Sequence, residues 1–143
     1  MDKRRHSNKD CRESMGDATM SMERHGGCAC GKVRYSVLGD PLRVGLCHCT
    51  DCRRTSGSAF TFYGIWPLAT FKCEGQTSTY KDRSFCPTCG GQVFALSDTE
   101  AEIMAGTLDE APSGLVPQYE LWTPRREPWL HALPGTDQFH GNR

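Results

Sequence analysis

Residues 59–66 read AFTFYGIW, from Ala59 to the Trp66 that precedes Pro67, and their reading decides the fold. Aromatic and β-branched side chains fit a pleated, half-buried surface, so this run predicts a strand that Pro67 stops. Upstream, residues 33–37 alternate Val33, Tyr35 and Val37 with Arg34 and Ser36, a period of two that ends at the Gly39-Asp40-Pro41 turn. Residues 42–46 (LRVGL) predict a second short strand running straight into Cys47, and residues 51–55 predict one helical turn closed by Ser56-Gly57.

Downstream, residues 69–73, 77–81, 92–96, 102–105 and 118–122 are further short strand candidates separated by turn residues. Many short strands without a sustained helical pattern predict an all-β sandwich or open barrel. Residues 123–133, rich in Pro, Arg and Trp, predict an extended strap over the sheet. Residues 1–22 carry many charges and no apolar periodicity, which predicts a disordered leader. The boundaries expected are therefore a leader at 1–22, a β domain at 23–135 and a polar tail at 136–143.

A chain of 143 residues fits one domain with a modest core. Lys+Arg and Asp+Glu balance at 17 each, so no bulk charge draws the chain to nucleic acid or to an anionic membrane. No stretch reaches the ~18 apolar residues of a membrane span. The polar N-terminus lacks the apolar centre of a signal peptide, which predicts a cytoplasmic protein. In a reducing compartment, nine cysteines read as metal ligands or redox groups more readily than as disulfides.

Seven of the nine fall in three packets: Cys28-x-Cys30, Cys47-His48-Cys49-x-x-Cys52 and Cys86-x-x-Cys89. A two-residue gap lets a tight turn aim both sulfurs at one ion, and Gly90-Gly91 permits the positive φ such a knuckle needs. Seven ligands divide naturally as four plus three. Cys28, Cys30, Cys86 and Cys89 would close a structural site across the 55 residues between Cys30 and Cys86. Cys47, Cys49 and Cys52 would hold a second ion from one local turn and leave its fourth position open. Thiolates this dense also admit an iron–sulfur cluster, but the knuckle-like spacings favour zinc.

Around the trio, Arg53 and Arg54 are candidates for binding a substrate carboxylate, or simply face solvent. Ser56 and Ser58 either orient substrate or form a Ser-Gly-Ser turn. His48 is expected to face away from the metal and to hydrogen-bond backbone. Phe60, Phe62 and Trp66 line a pocket above the metal or belong to the core. Cys73 reads as a buried small hydrophobe, and Cys11 as an inert thiol of the leader.

The motifs Gly26-Gly27-Cys28-x-Cys30-Gly31-x-Val33-Arg34-Tyr35, Cys47-His48-Cys49-x-x-Cys52-Arg53-Arg54-x-Ser56-Gly57-Ser58 and Phe85-Cys86-x-x-Cys89-Gly90 resemble the glutathione-dependent formaldehyde-activating and centromere-protein-V family. Leu121-Trp122-Thr123-Pro124-Arg125-Arg126 with Trp129 resembles that family's C-terminal strap. The resemblance implies a β-tent of short antiparallel strands organised around the four-cysteine zinc, a fold shared with a zinc-containing chaperone of Rab GTPases. It implies two zinc ions, the catalytic one on Cys47, Cys49 and Cys52. It further implies carbon–sulfur lyase chemistry on S-hydroxymethylglutathione or a related thiol adduct, with glutathione as the candidate thiol. The competing expectation is a non-enzymatic β-tent module that binds a protein partner. A nucleic-acid-binding zinc ribbon is disfavoured, because it needs only four cysteines and a basic stripe.

Overall fold

The computed structural model describes Cys11 and residues 22–143. The leader expected at 1–22 therefore lies, apart from Cys11 and Met22, outside the described residues. Among the described residues the chain is all-β with a single short α-helix. Strands run at β1 Glu23–Gly27, β2 Arg34–Leu38, β3 Arg43–Cys47, β4 Thr61–Pro67, β5 Phe71–Glu74, β6 Ser78–Tyr80, β7 Arg83–Phe85, β8 Gln92–Leu96, β9 Glu100–Met104, β10 Tyr119–Leu121 and β11 Asp137–Gln138. Helix α1 spans Thr50–Ser56 between β3 and β4.

Two sheets result. A small antiparallel sheet has the order β1-β2-β5, and an eight-stranded one the order β11-β10-β3-β4-β9-β8-β7-β6. The large sheet is antiparallel except at β10, which runs parallel to both β3 and β11. The main core lies between the sheets: Val33, Tyr35, Val37 and Phe71 from the small one meet Trp66, Val93, Phe94, Ala101 and Ile103 from the large one.

Alternation along β4 sorts the large sheet's two faces. Trp66 packs in the shared core with Phe62 at its margin, whereas Tyr63 and Ile65 belong to a second cluster with Cys47, Met104 and Tyr119. Register extends that outer face across the sheet. Cys47 sits between Leu121 and Thr61, and Ile65 lies opposite Glu102, which lies opposite Ala95, which lies opposite Arg83. The outer face therefore carries the trio's first cysteine and a row of charged side chains.

Three expectations need correction. Residues 68–70 form a 3₁₀ turn, so the strand expected at 69–73 begins only at Phe71. The strap expected at 123–133 is not uniformly extended: Trp122 takes a left-handed conformation (φ 57°) and Thr123–Arg125 closes into a 3₁₀ turn. Cys73 is buried, but not as a free thiol. It forms a disulfide with Cys11, 62 positions earlier, a pairing that spacing alone does not reveal. No helix among the described residues is long and apolar enough to cross a membrane.

Candidate metal centre

Two turns of like design present the first cluster. After β1, the Cys28 N–H donates to the Val33 carbonyl at 3.1 Å, and Gly31, at φ 80°, donates to the Cys28 carbonyl at 3.1 Å. After β7, the Cys86 N–H donates to the Gly91 carbonyl at 3.0 Å, and Gly90, at φ 75°, donates to the Cys86 carbonyl at 2.8 Å. A side chain at Gly31 or Gly90 would be strained in this left-handed backbone. In each turn a backbone N–H also points at sulfur: Val33 at Cys28 Sγ (3.3 Å) and Thr88 at Cys86 Sγ (3.4 Å).

The sulfurs of Cys28, Cys30, Cys86 and Cys89 all lie within 4.8 Å of one another. Cys28 to Cys30 is 3.6 Å and Cys30 to Cys86 is 3.7 Å. Tetrahedral zinc with sulfurs at about 2.3 Å requires edges of about 3.8 Å. The donor set fits. Cys28 and Cys86 are buried, while Cys30 and Cys89 face solvent, so an ion here would have a dry side and a wet rim.

The second cluster grows out of α1. Cys49 is the helix N-cap, and its Sγ accepts the Cys52 N–H at 3.3 Å. Gly57, at φ 64°, ends the helix and donates to the Arg53 carbonyl. Cys47 arrives from the end of β3, and the His48 N–H bonds the Leu121 carbonyl at 3.0 Å. The sulfurs of Cys47, Cys49 and Cys52 lie within 4.8 Å of one another, and no fourth Cys, His, Asp or Glu donor among the described residues joins them.

Ionisation within both clusters is uneven. Hydrogen bonding from Cys47 holds Cys52 down at about 5, with Cys49, Thr61 and the charge of Arg83 assisting against burial. Cys47 is correspondingly pushed up, by Cys52 and by burial. Backbone hydrogen bonds involving Gly91 and Cys30 hold Cys89 down at about 6. A backbone hydrogen bond involving Lys32 lowers Cys30, but local desolvation and the neighbouring sulfurs of Cys28, Cys86 and Cys89 together outweigh it and raise the thiol to about 11. Binding a divalent cation would require these thiols to give up their protons.

A cavity of about 400 Å³ lies between the clusters, lined among others by Ser56, Phe60, Thr61, Phe62, Gly91 and Gln92. It begins beside the trio: Ser56 Oγ and Thr61 Oγ1 both donate to the Cys52 carbonyl, at 2.6 and 3.1 Å. Ser58, which also lines it, donates its N–H to Ser56 Oγ at 3.2 Å. The Ser-Gly-Ser turn and the wall of the cleft are thus one structure. Phe60 and Phe62 line the cleft, whereas Trp66 is fully buried in the core.

Other site expectations meet a different fate. Arg53 is occupied: its Nη2 pairs with Glu127 Oε1 at 2.6 Å and its Nη1 donates to the Arg125 carbonyl at 3.0 Å. Arg54 is exposed on the helix. His48 does turn away from the trio, but its ring meets a carboxylate rather than backbone, Glu120 Oε1 at 2.9 Å. An alternating extended packet sends His48 to the face opposite the cysteines, and β10 has already placed Glu120 there.

Several polar residues near the trio escaped sequence reading. Tyr63 Oη donates to Tyr119 Oη at 2.9 Å, and burial pushes the Tyr63 phenol well above its usual range. Glu102 is pushed up to about 7 by burial and by the negative charge of Cys52. Arg83 is close enough for its charge to act on both Cys52 and Glu102. The available signal was alternation: a lone Glu between Ala101 and Ile103 marks an outward face.

Comparison with known proteins agrees with this architecture. A crystal structure of a Rhodobacter sphaeroides protein superposes with a TM-score of 0.50 at 21% identity, covering 65% of this chain and 97% of that one. It is a likeness of fold. No curated protein matches the chain. The family model of the glutathione-dependent formaldehyde-activating enzyme matches residues 23–125, which takes in both knuckles, the trio and the cleft between them. The chain belongs to the glutathione-dependent formaldehyde-activating enzyme family.

Proposed function

We propose that the protein is a carbon–sulfur lyase acting on S-hydroxymethylglutathione or a closely related thiol adduct, with two zinc ions per chain. The reading places it in the cytoplasm, where its seven cluster thiols stay reduced. Cys28, Cys30, Cys86 and Cys89 would hold the structural ion, and Cys47, Cys49 and Cys52 the catalytic one. The single observation that carries the proposal is the trio itself. Three sulfurs converge beside a 400 Å³ cleft with no fourth protein donor among the described residues.

A zinc ion held by three thiolates supplies an acceptor for a substrate thiolate, which remains nucleophilic at sulfur. Cys47, Cys49 and Cys52 would hold that ion, and Cys52 borders the cleft through the carbonyl that Ser56 and Thr61 bind. Phe60 and Phe62 exclude water along the cleft, and Thr61 with Ser56 holds the Cys52 carbonyl so that α1 presents its first turn unchanged. The overall reaction joins the thiol sulfur to the carbonyl carbon of formaldehyde while the thiol proton passes to the carbonyl oxygen. The lyase direction returns the proton to sulfur as the carbon–sulfur bond breaks.

The competing reading, a non-enzymatic module for a protein partner, requires a fourth protein ligand at the trio or no metal there. His48, the nearest spare donor in sequence, is engaged with Glu120. Turnover of S-hydroxymethylglutathione by wild type and by Cys49→Ser, both verified as folded, tests the proposal. Wild-type activity lost in the variant is expected; equal rates, or none in wild type, would reject it.

A further inference from the structure

Arg83 is the described arginine whose setting fits a ligand rather than the fold. Arg34, Arg43, Arg53 and Arg126 are held by Asp109, Glu100, Glu127 and Glu120. Arg24 donates to the Ser113 carbonyl, and Arg143 lies over the Tyr119 ring. Arg54 and Arg125 are exposed. Arg83 is half-buried, and among the described residues it has no carboxylate within 4 Å. Its charge reaches Cys52 and Glu102, but with no carboxylate in contact among the described residues the bidentate bonding that its fork offers is unused.

The space in front of it is defined. Arg83 lines a cavity of about 180 Å³ with Thr55, Tyr80, Phe85, Gly90 and Gln92. Thr55, Gly90 and Gln92 also line the 400 Å³ cleft, so the two are adjoining chambers with shared walls. Together they fall within the ~300–1,000 Å³ of small-molecule sites. Strand register explains the placement: Arg83 stands in the same row of the sheet's outer face as Glu102 and Ile65. Glu102 opens instead on a different cavity, shared with Arg43 and Glu100, which leaves Arg83 facing the first chamber.

We propose that Arg83 binds a carboxylate of the thiol-bearing substrate, in the chamber walled by Thr55, Tyr80, Gly90 and Gln92. This rests on the lyase reading for the identity of the substrate. It transfers to β7 the role that sequence alone gave to Arg53 or Arg54. The ligand class is a thiol peptide or thiol acid with its sulfur toward the trio and an anionic end beneath Gln92. Thr55, whose hydroxyl donates to the Asp51 carbonyl, and Gln92 supply the polar walls. Specificity for an anionic thiol follows from a half-buried cation lining the chamber that adjoins the cleft.

Titration calorimetry of the zinc-loaded full chain tests this with S-methylglutathione, an unreactive thioether, and with its diethyl ester, which lacks both carboxylates. Wild type should bind the acid at least tenfold more tightly than the ester. Arg83→Gln should bring the acid down to the ester's affinity, while Arg53→Gln should leave the preference intact. Gln92→Glu, which sets a carboxylate beside Arg83, should abolish the preference even if Arg83→Gln does not fold. Equal affinities in wild type, absence of binding, or an unchanged preference in both Arg83→Gln and Gln92→Glu would overturn the proposal. Binding and turnover are read separately. A chain that prefers the acid through Arg83 but converts no adduct sinks the lyase reading alone, and one that converts the adduct with an unchanged KM in Arg83→Gln sinks this one alone.

Discussion

His48 Nε2 lies 2.9 Å from Glu120 Oε1, and both side chains are about 99% removed from solvent, His48 and Glu120 each being 1% exposed. The pair joins the cysteine trio to the C-terminal segment. Glu120's other oxygen accepts from the Leu133 N–H at 3.1 Å and from Gln138 Nε2 at 2.8 Å, with Arg126 at 3.6 Å. Burial would raise its pKa, but the bonds from Gln138, His48 and Leu133 together with Arg126 hold it below the usual carboxylate range. One carboxylate of β10 thus gathers groups from the metal packet, the C-terminal segment and the last strand.

Glu120→Ala should therefore cost about 3 kcal/mol, because it strands buried donors as well as removing a charge. For a domain this size that lowers Tm by roughly ten degrees. The trio should also lose grip on its ion before the four-cysteine site does, read as faster zinc release to a chelator from one of two sites. A melting point within two or three degrees of wild type would contradict this account.

Cys86→Ser and Cys49→Ser should separate the two clusters. Cys86 is buried and closes a ring across the 55 residues from Cys30, linking the small sheet's first turn to the large sheet. Its loss should remove one zinc and most of the cooperative melt, since the free energy of structural zinc binding is folding free energy. Cys49 belongs to a local turn, so Cys49→Ser should remove the other zinc and leave the far-UV spectrum and most of the stability in place. Metal analysis beside thermal melts checks both, and a cooperative melt of Cys86→Ser at the wild-type temperature would refute the assignment of that cluster as structural.

Arg53→Gln should behave as a surface change. Its partners, Glu127 and the Arg125 carbonyl, lie on the C-terminal segment, and both side chains of the ion pair keep about a third of their exposure, 29% and 33%. Solvent screening limits such a pair to about 1 kcal/mol. The expected result is a slightly lower Tm with KM for the thiol adduct unchanged. A severalfold rise in KM would restore Arg53 to the substrate-binding role that its position after Cys52 suggests.

The cysteine packets and the strands with clear alternation, β2 and β4 above all, were legible because each signal is local. So was the end of α1 at Gly57. β1 was not, since Glu23-Arg24-His25-Gly26-Gly27 shows neither alternation nor apolar mass. It is a strand because β2 pairs with it, and a Cβ at Gly26 would stand 2.3 Å from Tyr35 Oη. β7 hides behind Lys81 and Asp82, both at positive φ. The polar residues around the site were illegible for a different reason. Tyr63, Arg83, Glu102 and Glu120 come from four strands, and only the order β10-β3-β4-β9-β8-β7 brings the first three near the trio and Glu120 beneath His48 on the opposite face. That order includes a parallel pairing of β10 with β3, 74 residues apart at Tyr119 and Gly45, which no periodicity encodes.

Glu102 makes the protein's stability depend on pH in a direction opposite to most carboxylates. Its pKa in the folded chain is about 7 against an ordinary 4.5, raised chiefly by burial and then by the charge of Cys52. Below the ordinary value both states carry the proton and nothing is lost. Between the two values the unfolded chain ionises while the folded one does not, so stability falls as pH rises, and above the folded value the full cost remains. Glu102→Gln keeps the shape without the charge and removes this slope. The variant should gain on wild type between pH 5 and pH 8 by an amount on the order of 3 kcal/mol, less where zinc neutralises Cys52. Urea midpoints of the zinc-loaded pair at the two pH values measure it, and effects common to both chains, such as proton release by the cysteines, cancel in the difference. A gap between variant and wild type that stays constant across this range would show that Glu102 is ionised in the folded protein throughout, with Arg43 and Arg83 compensating its burial.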